Sequence, residues 1–213
     1  MLHPPLEVKA WGDLACFTRP EMKVERVSYP VMTPSAARGL LEAIFWKPEF
    51  RWLVREIWVL KPIRFFSMLR NEVNAKASSL AARGWSSGDG YFAEEDRAQR
   101  HTLALRDVEY VIRADIEVKE GVGEDVAKFR DQFRRRVGRG ACAFTPYFGC
   151  REFVASFGPR LDGDRPADIT QDLGRMLLDL DYADGSSRAA PHFFEAQLES
   201  GVLRVPIVSR VRA

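Results

Sequence analysis

The sequence predicts an α+β fold, and three observations lead there. Arg97 to Val118 is a long strand-like run in which Val108, Tyr110, Ile112, Ala114, Ile116 and Val118 alternate with Glu109, Val111, Arg113, Asp115 and Glu117. That period of two gives a sheet one apolar face and one mostly charged face. Two other segments, 33–47 and 126–139, carry apolar residues at helical spacing. Third, the order is strand, helix, strand, strand, loop, strand, helix, then mainly strands, which fits a β-α-β-β-α-β ferredoxin-like unit with a C-terminal antiparallel β-sheet extension. The expected division is 1–140 for the first unit and 141–213 for a small β-rich domain.

In chain order, Leu6 to Phe17 reads as a strand broken at Gly12-Asp13. Pro20 to Pro30 is loop-like and carries Lys23 and Arg26. Thr33 can cap a helix, and Pro34 suits its first position because the missing N–H would be unpaired there anyway. Ala37, Leu40, Leu41, Ile44 and Phe45 form its apolar stripe, and Pro48 ends it with Trp46 and Lys47 in the last turn. Arg51 to Ile63 and Arg64 to Val73 are apolar enough to be strands paired across a short turn. From Asn74 to Gln99 the pattern gives way to Ala, Ser, Gly and acidic residues, which predicts a long mobile loop. Val126 to Arg139 is the second helix, with Val126, Phe129, Phe133 and Val137 as its buried stripe. After it come strand-like pieces around a Pro146–Gly149 turn, a polar loop over 159–172, a strand at Arg175–Tyr182, and a hairpin of Phe193–Glu199 with Val202–Val208 across Ser200-Gly201.

The chain has 213 residues, enough for one large domain or two small ones with a real core. Its net charge is only +2, so a nucleic-acid role must rest on where charge sits rather than on its total. The strongest local bias is the second helix: Lys128, Arg130, Arg134, Arg135, Arg136 and Arg139 face a single Asp131. Such a cluster attracts phosphate whatever its sequence, although a solvated charged face is the plainer reading. Cys16, Cys142 and Cys150 are an odd number without ligand spacing, which favours reduced thiols and a cytoplasmic protein. No secretory signal is visible at the start, and no apolar run approaches the roughly 18 residues of a membrane span.

The chemistry on offer is limited. No His/Cys/carboxylate set has metal-ligand spacing, and P-loop, dinucleotide and GxSxG patterns are absent, so neither a metal nor a cofactor is expected. Metal-free RNA cleavage needs only a group to take the proton of a ribose 2′-OH, another to protonate the leaving 5′ oxygen, and cations for the phosphorane. The catalytic candidates are His101, Lys47 and Tyr110, the last placed on the apolar face where packing is its ordinary role. The RNA-binding candidates are Lys23, Arg26, Arg100, Arg106, Arg113, Arg134, Arg135, Arg136 and Arg151. Tyr147 and Phe148 could stack on an unpaired base or plug the core.

Three stretches, LEVKAWGDLACFTRPEMKVERVSYPVMTPSAARGLLEAIFWKP, QRHTLALRDVEYVIRADIEV and TPYFGCREFVASF, together resemble the subtype I-C (Dvulg) CRISPR-associated proteins of the fifth Cas family, in the RAMP superfamily. The resemblance implies a ferredoxin-like RAMP domain and a metal-independent endoribonuclease that cuts precursor CRISPR RNA at the repeat hairpin. It implies that the protein stays on the 5′ handle within Cascade, beside seventh-family backbone subunits and the eighth-family large subunit. DNA is a second candidate ligand. One departure stands out. Some family members use a tyrosine before the Trp-Lys-Pro that closes the first helix, and a Lys-His pair near the end of the central strand. This sequence has Phe45 at the first position and Ala114-Asp115 opposite the second. His101 and Lys47 are therefore chosen on chemistry, and the alternative function is a non-catalytic subunit that caps the 5′ handle.

Overall fold

The computed structural model describes residues 3–22, 24–74, 92, 94–181 and 190–207. Its elements are β1 (Leu6–Ala15), β2 (Arg26–Val27), α1 (Pro34–Ile44), β3 (Phe50–Val59), β4 (Phe65–Val73), β5 (Arg97–Val118), α2 (Val126–Arg139), β6 (Ser156–Gly158), β7 (Gln171–Asp181), β8 (Ala190–Glu199) and β9 (Val202–Arg204). All the strands join one nine-stranded sheet in the order β6-β1-β5-β3-β9-β8-β7, with β2 and β4 also paired to β5. Every pairing but the parallel β2–β5 contact is antiparallel.

The period-two pattern has the expected result in β5, whose Tyr110, Ile112 and Ala114 are buried with Val8 and Ala10 of β1 and Ile57 of β3. α1 packs on β3 and also on β7, at the far edge of the sheet. The sheet therefore curls into a half-barrel closed on one side by helices. Thr33 caps α1 by accepting from Ala36 N–H, with Pro34 in the first turn, and Gly140 ends α2 in the left-handed region.

The structure departs from the sequence reading in five places. β1 runs through Gly12-Asp13 without a break: Gly12 sits opposite Val108 and Leu14 opposite Arg106. Gly12 is there because a Cβ would lie 3.0 Å from both the Phe148 ring and the Val154 carbonyl oxygen. α1 ends earlier than expected, since Phe45 is extended and its ring is buried, which leaves Trp46 and Lys47 beyond the helix. β4 pairs with the first half of β5, not with β3. The free edge of β3 is instead taken by β9. Of the expected 74–99 loop, Arg97–Gln99 belong to β5, and residues 75–91 and 93 lie outside the described residues. The ends of the C-terminal strands differ too: β7 starts at Gln171 and β9 stops at Arg204, while Tyr182 and Val208 are not described.

The charged outward face of the central strands largely neutralises itself, because cations on it are paired with carboxylates. Lys9 bridges Glu109 (2.5 Å) and Asp164 (2.6 Å), and Arg55 meets Asp115 at 2.6 Å. Arg113 lies between Glu7 (3.0 Å) and Glu56 (2.7 Å). Arg113 and Arg160 also flank the Trp58 ring at 5.2 and 4.8 Å. The two carboxylate partners of Lys9 raise its pKa above the usual range, the bond to Asp164 foremost and that to Glu109 next. Arg113 is thus removed from the set of cations free for a polyanion.

Candidate functional site

The end of α1 is tied down by long-range donors. A helix leaves its last carbonyls without partners. Here Ala43 O accepts from the Ala143 and Phe144 backbone N–H groups at 2.8 and 3.1 Å. Ile44 O accepts from Arg136 Nη1 at 3.0 Å, and Phe45 O from Trp52 Nε1 at 2.9 Å. Arg136 also lies over the Phe45 ring at 5.4 Å. These bonds join the end of α1, the last turn of α2 and the segment that follows it. What remains outward is a rim with two exposed aromatics, Trp46 at 57% and Phe144 at 77%. Lys47 is half-buried beside it, its ammonium 5.9 Å from the Phe129 ring centre. Rings beside cations suit an unpaired, stacked base and its phosphate.

The basic face of α2 divides once its partners are known. Arg130 is buried, donates to Pro4 O, and burial lowers its pKa. Lys128 pairs with Glu124 at 2.7 Å and Arg134 with Asp131 at 3.1 Å. Arg136 is committed to Ile44 O. Only Arg135 and Arg139 are exposed with no acidic partner among the described residues. Arg134 is thus half-neutralised, and Arg136 serves as a structural tie.

His101 lies elsewhere, exposed on β5 opposite Leu69, with its backbone N–H donating to the Glu25 carboxylate. Elsewhere on the β4–β5 pair, Glu72 receives Arg70 at 2.6 Å, Arg26 at 3.4 Å and Arg100 at 3.8 Å. Arg26 also donates to Cys150 Sγ at 3.1 Å. A hydrogen bond from Cys16, with burial opposing and Arg26 assisting, lowers the Cys150 thiol to about 6, while the Cys16 thiol is pushed up. Gly149 brings Cys150 to this place: at φ 80° it passes so close to Cys16 that a Cβ would lie 2.0 Å from Cys16 O. Arg106 is exposed beside Asp107, whose pKa it helps Lys61 to lower, Arg151 is exposed with no ion pair among the described residues, and Lys23 lies outside them.

The three catalytic candidates do not meet. Tyr110 is 2% exposed, and burial, only partly offset by a hydrogen bond from the Met32 backbone, raises its hydroxyl pKa. It is a core residue with no route to RNA. Lys47 O accepts from Phe50 N, and Phe50 pairs with Val118 at one end of β5. His101 is near the other end of that 22-residue strand. At about 3.3 Å per residue the two are tens of ångströms apart, even though Asp107 adopts a left-handed φ between them. Phe144 was missed by the sequence reading, because no periodicity marks a ring held out by a single turn.

The family model for CRISPR-associated protein (Cas_Cas5), in its Cas5d form, matches residues 5–206. The chain belongs to the Cas5 family. It is 48% identical over 216 residues to the CRISPR pre-crRNA endoribonuclease Cas5d of Mannheimia succiniciproducens, covering 94% of each chain. It is 45% identical to the protein of that name from Thermus thermophilus, covering 94% of this chain and 91% of the relative. A crystal structure of a CRISPR-associated protein has the same fold at TM-score 0.68, 20% identity, and coverage of 97% and 95% of the two chains. At the positions where the Cas5 resemblance implies a tyrosine and a Lys-His pair, Phe45 and Ala114 are buried and Asp115 is bonded to Arg55 at 2.6 Å.

Proposed function

We propose that this chain is a pre-crRNA endoribonuclease that cuts the repeat hairpin without a metal ion and stays on the 5′ handle as a subunit of a type I-C Cascade. The near-full-length identity to two Cas5d endoribonucleases carries the reading. Seventh-family and eighth-family subunits are its partners, and the cytoplasm is its place. The ferredoxin-like description is supported by the antiparallel order β6-β1-β5-β3, with α1 after β1 and α2 after β5. The unit over 1–140 then extends into a β-rich part over 141–213, which joins it through the β3–β9 and β1–β6 pairings.

The cut is assigned to the α1 end. Lys47 supplies a cation for the phosphorane, Trp46 and Phe144 hold a displaced base, and Arg135 and Arg139 take flanking phosphates. A second reading, a subunit that caps the handle without cutting, is favoured by the buried Phe45, which has no hydroxyl to donate. Purified protein incubated with its own repeat RNA, with and without EDTA, separates the two. Clean cutting in both conditions supports the nuclease. Binding without cutting supports the cap, and loss of cutting in EDTA sinks the metal-free mechanism.

A further inference from the structure

At the opposite end of α1 from Lys47, a groove of about 710 Å³ opens between the chain before the helix and the β7–β8 hairpin. That volume lies in the range of small-ligand sites. Arg19, Glu21 and Tyr29 line one side, and Asp172, Arg175 and Phe193 the other. Arg19 lies over the Tyr29 ring at 4.5 Å, and Arg175 over the Phe193 ring at 4.3 Å. A guanidinium seated on a ring has already lost much of its rotamer freedom, so a ligand need not order it. Its planar outer face and its N–H edges remain free for a base and a phosphate. The acids present do not occupy these forks fully. Glu21 is 3.7 Å from Arg19 with its own side chain 60% exposed, and Asp172 accepts from Gly174 N–H at 2.8 Å. Glu195 faces Arg175 across the β7–β8 ladder and balances part of its charge.

We propose that this groove holds one unpaired nucleotide of the RNA flanking the hairpin, its phosphate on the Arg19 and Arg175 forks and its base against a guanidinium plane. The proposal rests on the RNA-binding reading above. A base within a duplex presents no free face to such a plane, which is why the occupant is unpaired.

The test compares the protein's own repeat RNA, with its unpaired flanks, against an RNA trimmed to the hairpin. Affinity is followed across a salt series for wild type, Arg19→Glu/Arg175→Glu, and Arg204→Glu as a control on β9. The double variant should bind the flanked RNA weaker by on the order of tenfold or more, with a salt slope smaller by about 0.7 for the one phosphate lost. Its affinity for the trimmed hairpin should match wild type, and the control should match on both. Equal affinity of wild type and double variant for the flanked RNA overturns the groove while leaving the RNA reading intact. Equal losses on both RNAs overturn it as well, since the groove would then not read the flank. A wild type that binds neither RNA defeats the functional reading itself. Should the double variant fail to fold, Arg175→Ala, whose side chain is exposed, carries the same comparison.

Discussion

Tyr110 carries its hydroxyl into the core, and this decides between two roles the sequence left open. A strand position on the apolar face favoured packing, and the burial of the side chain agrees. Tyr110→Phe should leave RNA cutting at its wild-type rate. It should lower stability by about 1–3 kcal/mol, since the Met32 backbone group loses a buried partner. Slower cutting by a stably folded variant would return Tyr110 to the mechanism. Cys150 makes a second residue-scale prediction. Its folded pKa is about 6, against about 8.5 for an unperturbed thiol. Between those values the unfolded chain binds the extra proton, so stability rises with pH across the interval and the gain is lost as pH falls through 6. Cys16 acts with the opposite sign: its raised pKa makes stability fall again at higher pH. The melting temperature of wild type should therefore climb relative to Cys150→Ser between about pH 6 and 8.5 and then turn over. Parallel curves for the two proteins would refute this.

At the scale of elements, α2 shows what a charge count can and cannot reveal. Its extent and its buried stripe were legible because Phe129, Phe133 and Val137 recur at helical spacing, whereas its Asp125 cap emerges only in the structure. Which cations face solvent was not legible, because that depends on partners distant in sequence such as Pro4 and Ile44. The same limit hid the partner of β4: a strand's own residues set its period, while β5 was long enough to pair with β3 and β4 along different halves. Removing the two unpartnered cations, Arg135→Ala/Arg139→Ala, should lower the salt slope of RNA binding by about 1.4 with little change in melting. Arg136→Ala should do the reverse, lowering stability through the freed Ile44 carbonyl while barely moving the slope. A slope unchanged in the first variant would give this face to a protein neighbour instead.

Over the whole molecule, the distance between His101 and Lys47 governs the mechanism. The sequence supplied both residue types but could not say that β5 holds them at opposite ends, because separation along a strand becomes separation in space only once its length and pairing are known. One site cannot use both for a single proton transfer, which needs heavy atoms about 3 Å apart. With the cut placed at the α1 end, the nucleophile is the 2′-OH upstream of the cleaved bond. It attacks the adjacent phosphorus, the 5′ oxygen leaves, and the products carry a 2′,3′-cyclic phosphate and a 5′-hydroxyl. Replacing that one hydroxyl by hydrogen should abolish cutting and weaken binding by only about 0.5–1.5 kcal/mol. Lys47→Ala should slow cutting by about 10²–10⁴, whereas His101→Ala should leave it nearly unchanged. The opposite pattern would move the cut to the β4–β5 side, where His101 lies opposite Leu69. A deoxy substrate still cut at the same position would rule out in-line 2′-OH attack at either end.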